Sequence, residues 1–384
     1  METIRRRLES KMLFLLLNIV LFISSLTNDK IIFRSSFIFT AVVCSISFGR
    51  GYDWINYYDV YTNIDDYLYN FPFEPGYFYV LRFFNWLNIN YPIQNGITTL
   101  FLFFCIYSFA KKTNYPSLTF FTIFCFMGHY VLSEQIRQAL AICIILLFFD
   151  VFRHRKIIKG TLVIFLAMSF HVSAMFCFIY FFMLNDRTRQ PNTKFFIVCF
   201  IFILMAYSIW LNPNIISFLP LIYKKFVGYT EAYTEGFISI SRIVSSKVVL
   251  IYLSMLILLF HIYKKSKDRY VFFSTKAIIL MIITKLTVFL GRFQYYAIPL
   301  LIIGIDNYFY DKKRKGKILI YQLYYSICLF VISLVPLWSP STFDSINDPI
   351  LINANSKYIE KKISERCMTL NHYDPENEAI IRCK

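Results

Sequence analysis

Twelve apolar runs, at about 12–27, 31–48, 76–92, 94–110, 116–132, 137–152, 160–184, 195–212, 247–263, 272–290, 293–310 and 318–337, dominate the chain and restrict its fold more than any motif does. Apolar runs of roughly 17 or more residues are long enough to cross a bilayer as helices and exceed what a soluble core uses. With 57% hydrophobic residues and a mean hydropathy of +0.53, the chain reads as all-α. The reading is a multi-pass integral membrane protein of about 11–13 helical segments, some of them re-entrant. The formal charge of +17 does not point to nucleic acid, because the Lys and Arg residues fall in short clusters between apolar runs, as topology signals do. No nucleic-acid partner is expected.

Those clusters orient the later part of the chain. Lys111 with Lys112, Arg153 to Lys159, Arg187 to Lys194, Lys264 to Arg269 and Lys312 to Lys317 are all predicted to be cytoplasmic. The segment 160–184 then carries cytoplasmic signals at both ends, which a single crossing cannot satisfy. A re-entrant hairpin can, with its break near Ser169, Phe170 and His171 and each half too short to span. Irregular backbone at that depth is tolerated only where protein buries it or water fills a cavity. The same counting puts Glu134 to Arg137, the loop 213–246, Gly291 with Arg292, and the tail 339–384 on the outer side.

The start of the chain is less clearly oriented, since Arg5, Arg6, Arg7 and Lys11 before the first helix compete with Lys30 and Arg34 after it. No small-residue cleavage site follows the first run, so it is read as an uncleaved helix. The loop 49–75 holds five acids against one base and is placed outside. Parity then requires 76–92 to be interfacial or re-entrant. No repeat or linker divides the chain, which leaves one polytopic membrane domain, 1–338, and a polar C-terminal tail, 339–384, expected in the periplasm.

Seven of the nine cysteines lie inside apolar stretches and form no CxxC pair, so they read as small packing residues. Only Cys367 and Cys383, in the polar tail, are placed to form a disulfide, which would require an oxidising compartment. No HxxxH or HExxH spacing suggests a metal, and neither metal nor cofactor is expected.

Polar residues at the ends of the apolar runs are the candidates for chemistry, because Arg and His are costly at bilayer depth. Arg137 follows Glu134 by three positions at a helix start, so an i,i+3 ion pair is its ordinary reading. Its functional reading is a planar, permanently charged fork for a phosphate, with Gln138 donating alongside. Arg292, after Gly291, reads either as a snorkelling side chain or as a second phosphate cation. His171 reads as a packing residue or as a proton carrier near neutral pH. Asp53 and Glu74 are the alternative carboxylate bases. The stretch 51–75 that holds them carries six tyrosines, and in it Trp54, Tyr57 and Tyr58 offer rings for sugar C–H faces or for an interfacial belt. Tyr295 and Tyr296 follow Arg292, and Tyr223, Lys224, Lys225, Tyr229 and Tyr233 suggest an opposite wall.

The stretches GYDWINYYDVY, FEPGYFYVLRFF, SEQIRQALAICIILLF, LAMSFHVSAMF and GRFQYYAIPLL, in that order over roughly residues 40–310, resemble the EpsG and Wzy-type bacterial polysaccharide polymerases. The resemblance implies a GT-C-like membrane glycosyltransferase in the bacterial cytoplasmic (inner) membrane. Such an enzyme joins undecaprenyl-pyrophosphate-linked repeat units into O-antigen or a similar surface polysaccharide at the outer face. It implies catalytic roles for Asp53, Glu74, Arg137, His171 and Arg292, and as partners the lipid-linked glycan donor and acceptor, membrane lipid and a chain-length regulator protein. The tail after residue 338 and the Arg-rich start have no counterpart in that pattern. A flippase or transporter of lipid-linked glycan would also want outer-face arginines, but calls for charges along a full crossing path and often inverted repeats, and neither is present. An O-antigen ligase remains an alternative within the same enzyme class.

Overall fold

The structure is a computed structural model that describes residues 2–67, 72–128, 130–184, 193–218, 223, 227, 245–266, 269–286, 290–313, 319–338, 343, 346, 348–373 and 380–383. The described residues form sixteen α-helices, several short 3-10 turns and one pair of two-residue strands. Helix number exceeds the expected eleven to thirteen because some apolar runs are divided by a break and polar stretches fold as helices of their own. Among the described residues two helices, Tyr91–Ala110 and Lys247–Ser266, each of 20 residues, are long and apolar enough to cross a membrane. Lys224, Lys225, Tyr229 and Tyr233 of the expected opposite wall lie outside the described residues; Tyr223 is described and donates to Asn214 Oδ1 at 3.1 Å.

The chain divides into two compact units, residues 1–147 with 165–171 and 329–384, and residues 148–164 with 172–328. In the first, the helices Glu2–Leu26, Lys30–Ser45, Tyr91–Ala110, Pro116–Met127 and Ile136–Leu147 pack together. Asp29 starts the second of these, its carboxylate accepting from the N–H groups of Ile31 and Ile32. Phe37 holds the core as the meeting point of Tyr107, Phe103 and Phe120, with ring centroids 5.3, 5.6 and 4.7 Å away. Prolines sit in the first turns of the helices Pro75–Trp86, Tyr91–Ala110 and Pro116–Met127, where no backbone donor is lost to the helix. The 12-residue helix Pro75–Trp86 buries Tyr77, Phe78 and Leu81 and exposes Tyr79, Phe83 and Trp86, too short for a crossing and apolar on two faces.

The polar tail is folded. Ile350 and Leu351 pair antiparallel with Phe48 and Ser47, so a small sheet interrupts the otherwise helical plan. The helix Ser356–Tyr373 follows, and Cys367 is bonded to Cys383. Arg382 bridges Asp59 and Glu360, tying the end of the chain to the Tyr-rich helix Asp53–Thr62.

In the second unit the helices Lys247–Ser266, Arg269–Ile283 and Ile298–Lys313 lie side by side. The apolar stretches that run up to His171, a residue of the first unit, and up to Arg292 are interrupted. The helix Ile157–Met168 stops before His171 and continues as the 3-10 turn Val172–Ile179. This segment doubles back, since a Cβ on Gly160 would stand 2.8 Å from the ring of Phe181. The helix Arg269–Ile283 likewise gives way to 3-10 turns at Thr284–Leu286 and Leu290–Ala297 before the helix Ile298–Lys313 begins.

Candidate functional site

The Tyr-rich loop is folded around two points of close approach. Gly51 has φ +75°, and a Cβ there would lie 2.1 Å from the carboxyl carbon of Glu134. Only glycine fits this backbone and this distance. Tyr52 N–H accordingly donates to Glu134 Oε1 at 3.1 Å, which fixes the start of the helix Asp53–Thr62 against the turn preceding Arg137. Gly76 makes the second contact: its N–H donates to the Ser169 carbonyl at 2.7 Å, and a Cβ would lie 2.5 Å from Ser169 Oγ. Glu74, just before the helix Pro75–Trp86, is thereby held to the break that precedes His171.

Arg137 joins these pieces. Its Nη1 donates to Glu74 Oε2 at 2.7 Å and its Nε donates to the Tyr57 hydroxyl at 3.2 Å. The guanidinium carbon stands 4.7 Å from the ring centroid of Phe73 and 5.4 Å from that of Tyr57. The side chains are 16% exposed for Arg137 and 9% for Glu74. The pairing runs 63 residues back along the chain, whereas Glu134, three residues away, is engaged by Tyr52. Arg137 Nη2 makes no hydrogen bond or ion pair with a described residue. Asp53 adds a further attractive charge to the guanidinium; it is half-buried, and its carboxylate has no hydrogen-bond partner among the described residues.

Asp53, Tyr57, Glu74 and Arg137 are thus brought into one cluster, with the backbone before His171 attached to it. His171 itself is 6% exposed. Gln138 is fully buried beside Arg137. Trp54 is 2% exposed and donates from Nε1 to the Gly51 carbonyl at 3.2 Å, so it holds the turn and presents no ring face outward. Tyr58 is buried on the same helix. Two residues absent from the predicted set complete the surroundings of Arg137: Phe73 and Tyr77, whose rings pack edge-on to Tyr57 at 5.2 and 5.3 Å. Tyr77 is fully buried, and its hydroxyl has no hydrogen-bond partner among the described residues.

Arg292 belongs to the second unit and is half-buried on the turn Leu290–Ala297, next to Gly291, around which the space is open. That turn packs against Val172–Ile179. The Tyr296 hydroxyl and Ser173 Oγ are 2.9 Å apart, Tyr180 donates to the Tyr296 carbonyl, and Phe176 stacks on Phe293 at 5.2 Å. Tyr296 is fully buried and joins the two turns; Tyr295 is 9% exposed. A further buried cation, Lys276, sits on the helix Arg269–Ile283 against Phe272 at 4.8 Å and Phe195 at 5.4 Å. Its lone position in an apolar helix was the available signal. Among the described residues, no group of three or more His, Cys, Asp or Glu side chains converges as metal ligands.

Apolar helices that stop or start at charged and aromatic side chains define a class of helical membrane protein whose polar chemistry is gathered at helix ends. The chain belongs to the EpsG family, whose model matches residues 30–342. Members of this family are similar to Wzy-type polysaccharide polymerases, which makes this a membrane protein with a polysaccharide polymerase-like role. The tail from residue 343 lies beyond the match. No curated protein and no solved structure matches the chain.

Proposed function

We propose that the protein joins undecaprenyl-pyrophosphate-linked oligosaccharide repeat units into O-antigen or a similar surface polysaccharide at the outer face of the bacterial cytoplasmic membrane. The observation that carries this reading is Arg137: a largely buried guanidinium, oriented by Glu74 and Tyr57, whose Nη2 makes no hydrogen bond or ion pair with a described residue. A preorganised donor in a partly dry site stabilises developing negative charge without reorganising during the reaction. A leaving pyrophosphate is such a charge.

In the reaction, a hydroxyl of the acceptor sugar attacks the anomeric carbon of the donor glycan. The bond from that carbon to the pyrophosphate oxygen breaks, and its electron pair departs with undecaprenyl pyrophosphate. The hydroxyl proton passes to a base. Asp53 suits this role better than Glu74, because Glu74 is engaged with Arg137 whereas the Asp53 carboxylate takes no hydrogen bond from a described residue. Arg137 binds the pyrophosphate and His171 donates to it; Arg292, which belongs to the second unit, is a further candidate cation. Since the leaving group is already good, positioning and charge stabilisation supply most of the acceleration. The disulfide in the tail fits an outer, oxidising side. A chain-length regulator protein is the expected partner.

The test is polymer formation by the purified protein in lipid vesicles supplied with lipid-linked repeat units. Ladders of increasing length are expected from the wild type and none from Arg137→Ala. Transfer of a finished chain to another lipid, without ladders, would mark a ligase instead.

A further inference from the structure

A cleft of about 670 Å³ lies within the first unit, between the helix Asp53–Thr62, the connection 87–90 and the tail segment 352–359. Its volume falls in the range of roughly 300–1,000 Å³ usual for ligand sites. We propose that this cleft is a saccharide subsite that takes uncharged sugar residues of the repeat unit and selects among repeat units; the assignment rests on the polymerase reading above.

The lining chemistry carries the inference. Five asparagines line it, Asn85, Asn88 and Asn90 from one wall and Asn353 and Asn355 from the tail. Among the described lining residues there is no Lys, Arg, Asp or Glu, which favours an uncharged ligand over a phosphate or a cation. An amide both donates and accepts, which matches sugar hydroxyls that do the same. Asn85 donates to the Tyr61 carbonyl at 3.0 Å, and Asn355 Oδ1 accepts from Tyr358 N–H at 2.8 Å. Side chains of Asn88, Asn90 and Asn353 make no hydrogen bond with a described residue. Asn88 also holds a left-handed backbone, φ 55°. Tyr58, Tyr61 and Tyr91 supply aromatic surface, and Ile352 and Ile359 supply apolar surface for methyl or acetyl substituents.

The tail wall is built into place rather than loosely laid. Strand pairing at Ile350–Leu351 precedes it, and Ile352 N–H donates to the Ile46 carbonyl at 3.1 Å. Beyond it, the Cys367–Cys383 bond and Arg382, paired with Asp59 and Glu360, hold the helix Ser356–Tyr373 against the residue next to Tyr58. Asn353 and Asn355 lie beyond the part of the chain that the family model matches, so this wall is a place where one member can differ from another in the glycan it accepts.

The experiment uses the full-length protein in lipid nanodiscs and, as probe, the free oligosaccharide released by mild acid from the host cell's lipid-linked repeat unit. Binding is measured by calorimetry for the wild type, Asn88→Ala, Asn353→Ala and the double variant, which remove amides from opposite walls. Wild-type binding should be saturable, and the double variant should bind at least about tenfold more weakly, as two lost hydrogen bonds imply. Arg137→Ala should bind the phosphate-free probe as the wild type does. In the vesicle assay, Asn353→Ala should raise the repeat-unit concentration giving half-maximal rate and leave the maximal rate unchanged. Absence of binding by the wild type, or equal affinity in all three cleft variants, would overturn the assignment. A protein that binds the probe but makes no ladders would lose the polymerase reading and keep the subsite.

Discussion

Arg137 and Arg292 both stand beside an interruption of regular helix, yet their settings differ. Arg137 is enclosed, hydrogen-bonded through two of its nitrogens and flanked by two rings, so its geometry is set before any substrate arrives. Arg292 is half-buried on a 3-10 turn beside a glycine with open space around it. The first arrangement suits a donor that must point one way, the second a cation that adapts. A planar fork is expected to be indispensable in one case and a positive charge to suffice in the other.

This contrast can be broken by substitution. Arg137→Ala should cost about 10²- to 10³-fold in polymer-forming rate, the loss typical of removing one preorganised charge-stabilising donor, and Arg137→Lys should recover little of it. Ladder formation in vesicles measures both. Near-normal activity in the Lys variant would show that charge alone acts there. Glu74→Gln leaves Arg137 without its counter-charge; thermal unfolding should show a loss of about 3 kcal/mol, since breaking a buried pair strands the other charge. Removing the disulfide by Cys367→Ser with Cys383→Ser should destabilise the tail by about 3 kcal/mol from its 16-residue loop, seen as faster proteolysis of the helix Ser356–Tyr373 than of the rest. Arg292→Lys should change the polymer-forming rate less than about threefold, because a half-buried charge with open space beside it is replaceable; a loss as large as at Arg137 would erase the distinction.

The weakest effect is expected from Lys362, which lies in the tail. Partial burial disfavours its charge, but the carboxylates of Asp348 and Glu365 outweigh this and raise its pKa above the ordinary 10.5. Its contribution to tail stability is therefore complete below that value and is lost as pH rises through the raised one. Proteolysis of the tail across that range, compared with Lys362→Met, measures it.

Charge counting alone located the break before His171, because basic clusters at both ends of 160–184 exclude a single crossing. Arg137 was legible as a polar residue at a helix start. Its partner was not: local spacing favours Glu134, and Glu74 is reached only through tertiary packing at Gly51 and Gly76, where missing side chains let backbone and side chain meet. Those two glycines were the available signal. Trp54 and Tyr296 look like sugar-stacking rings in a sequence, yet both are turned inward, since an aromatic ring in a polar loop serves packing as readily as recognition. The tail reads as polar, with one cysteine pair placed to form its disulfide. Its other ties, a two-residue strand and the Arg382 ion pairs, are long-range pairings that composition does not report.

The most direct measurement is the affinity of the nanodisc-embedded protein for geranyl pyrophosphate, a short lipid pyrophosphate, in the wild type and in Arg137→Lys. An oriented guanidinium whose Nη2 has no partner among the described residues predicts saturable binding that weakens about tenfold or more in the variant, the loss of one charge-assisted hydrogen bond. Equal affinity in the two proteins would contradict it.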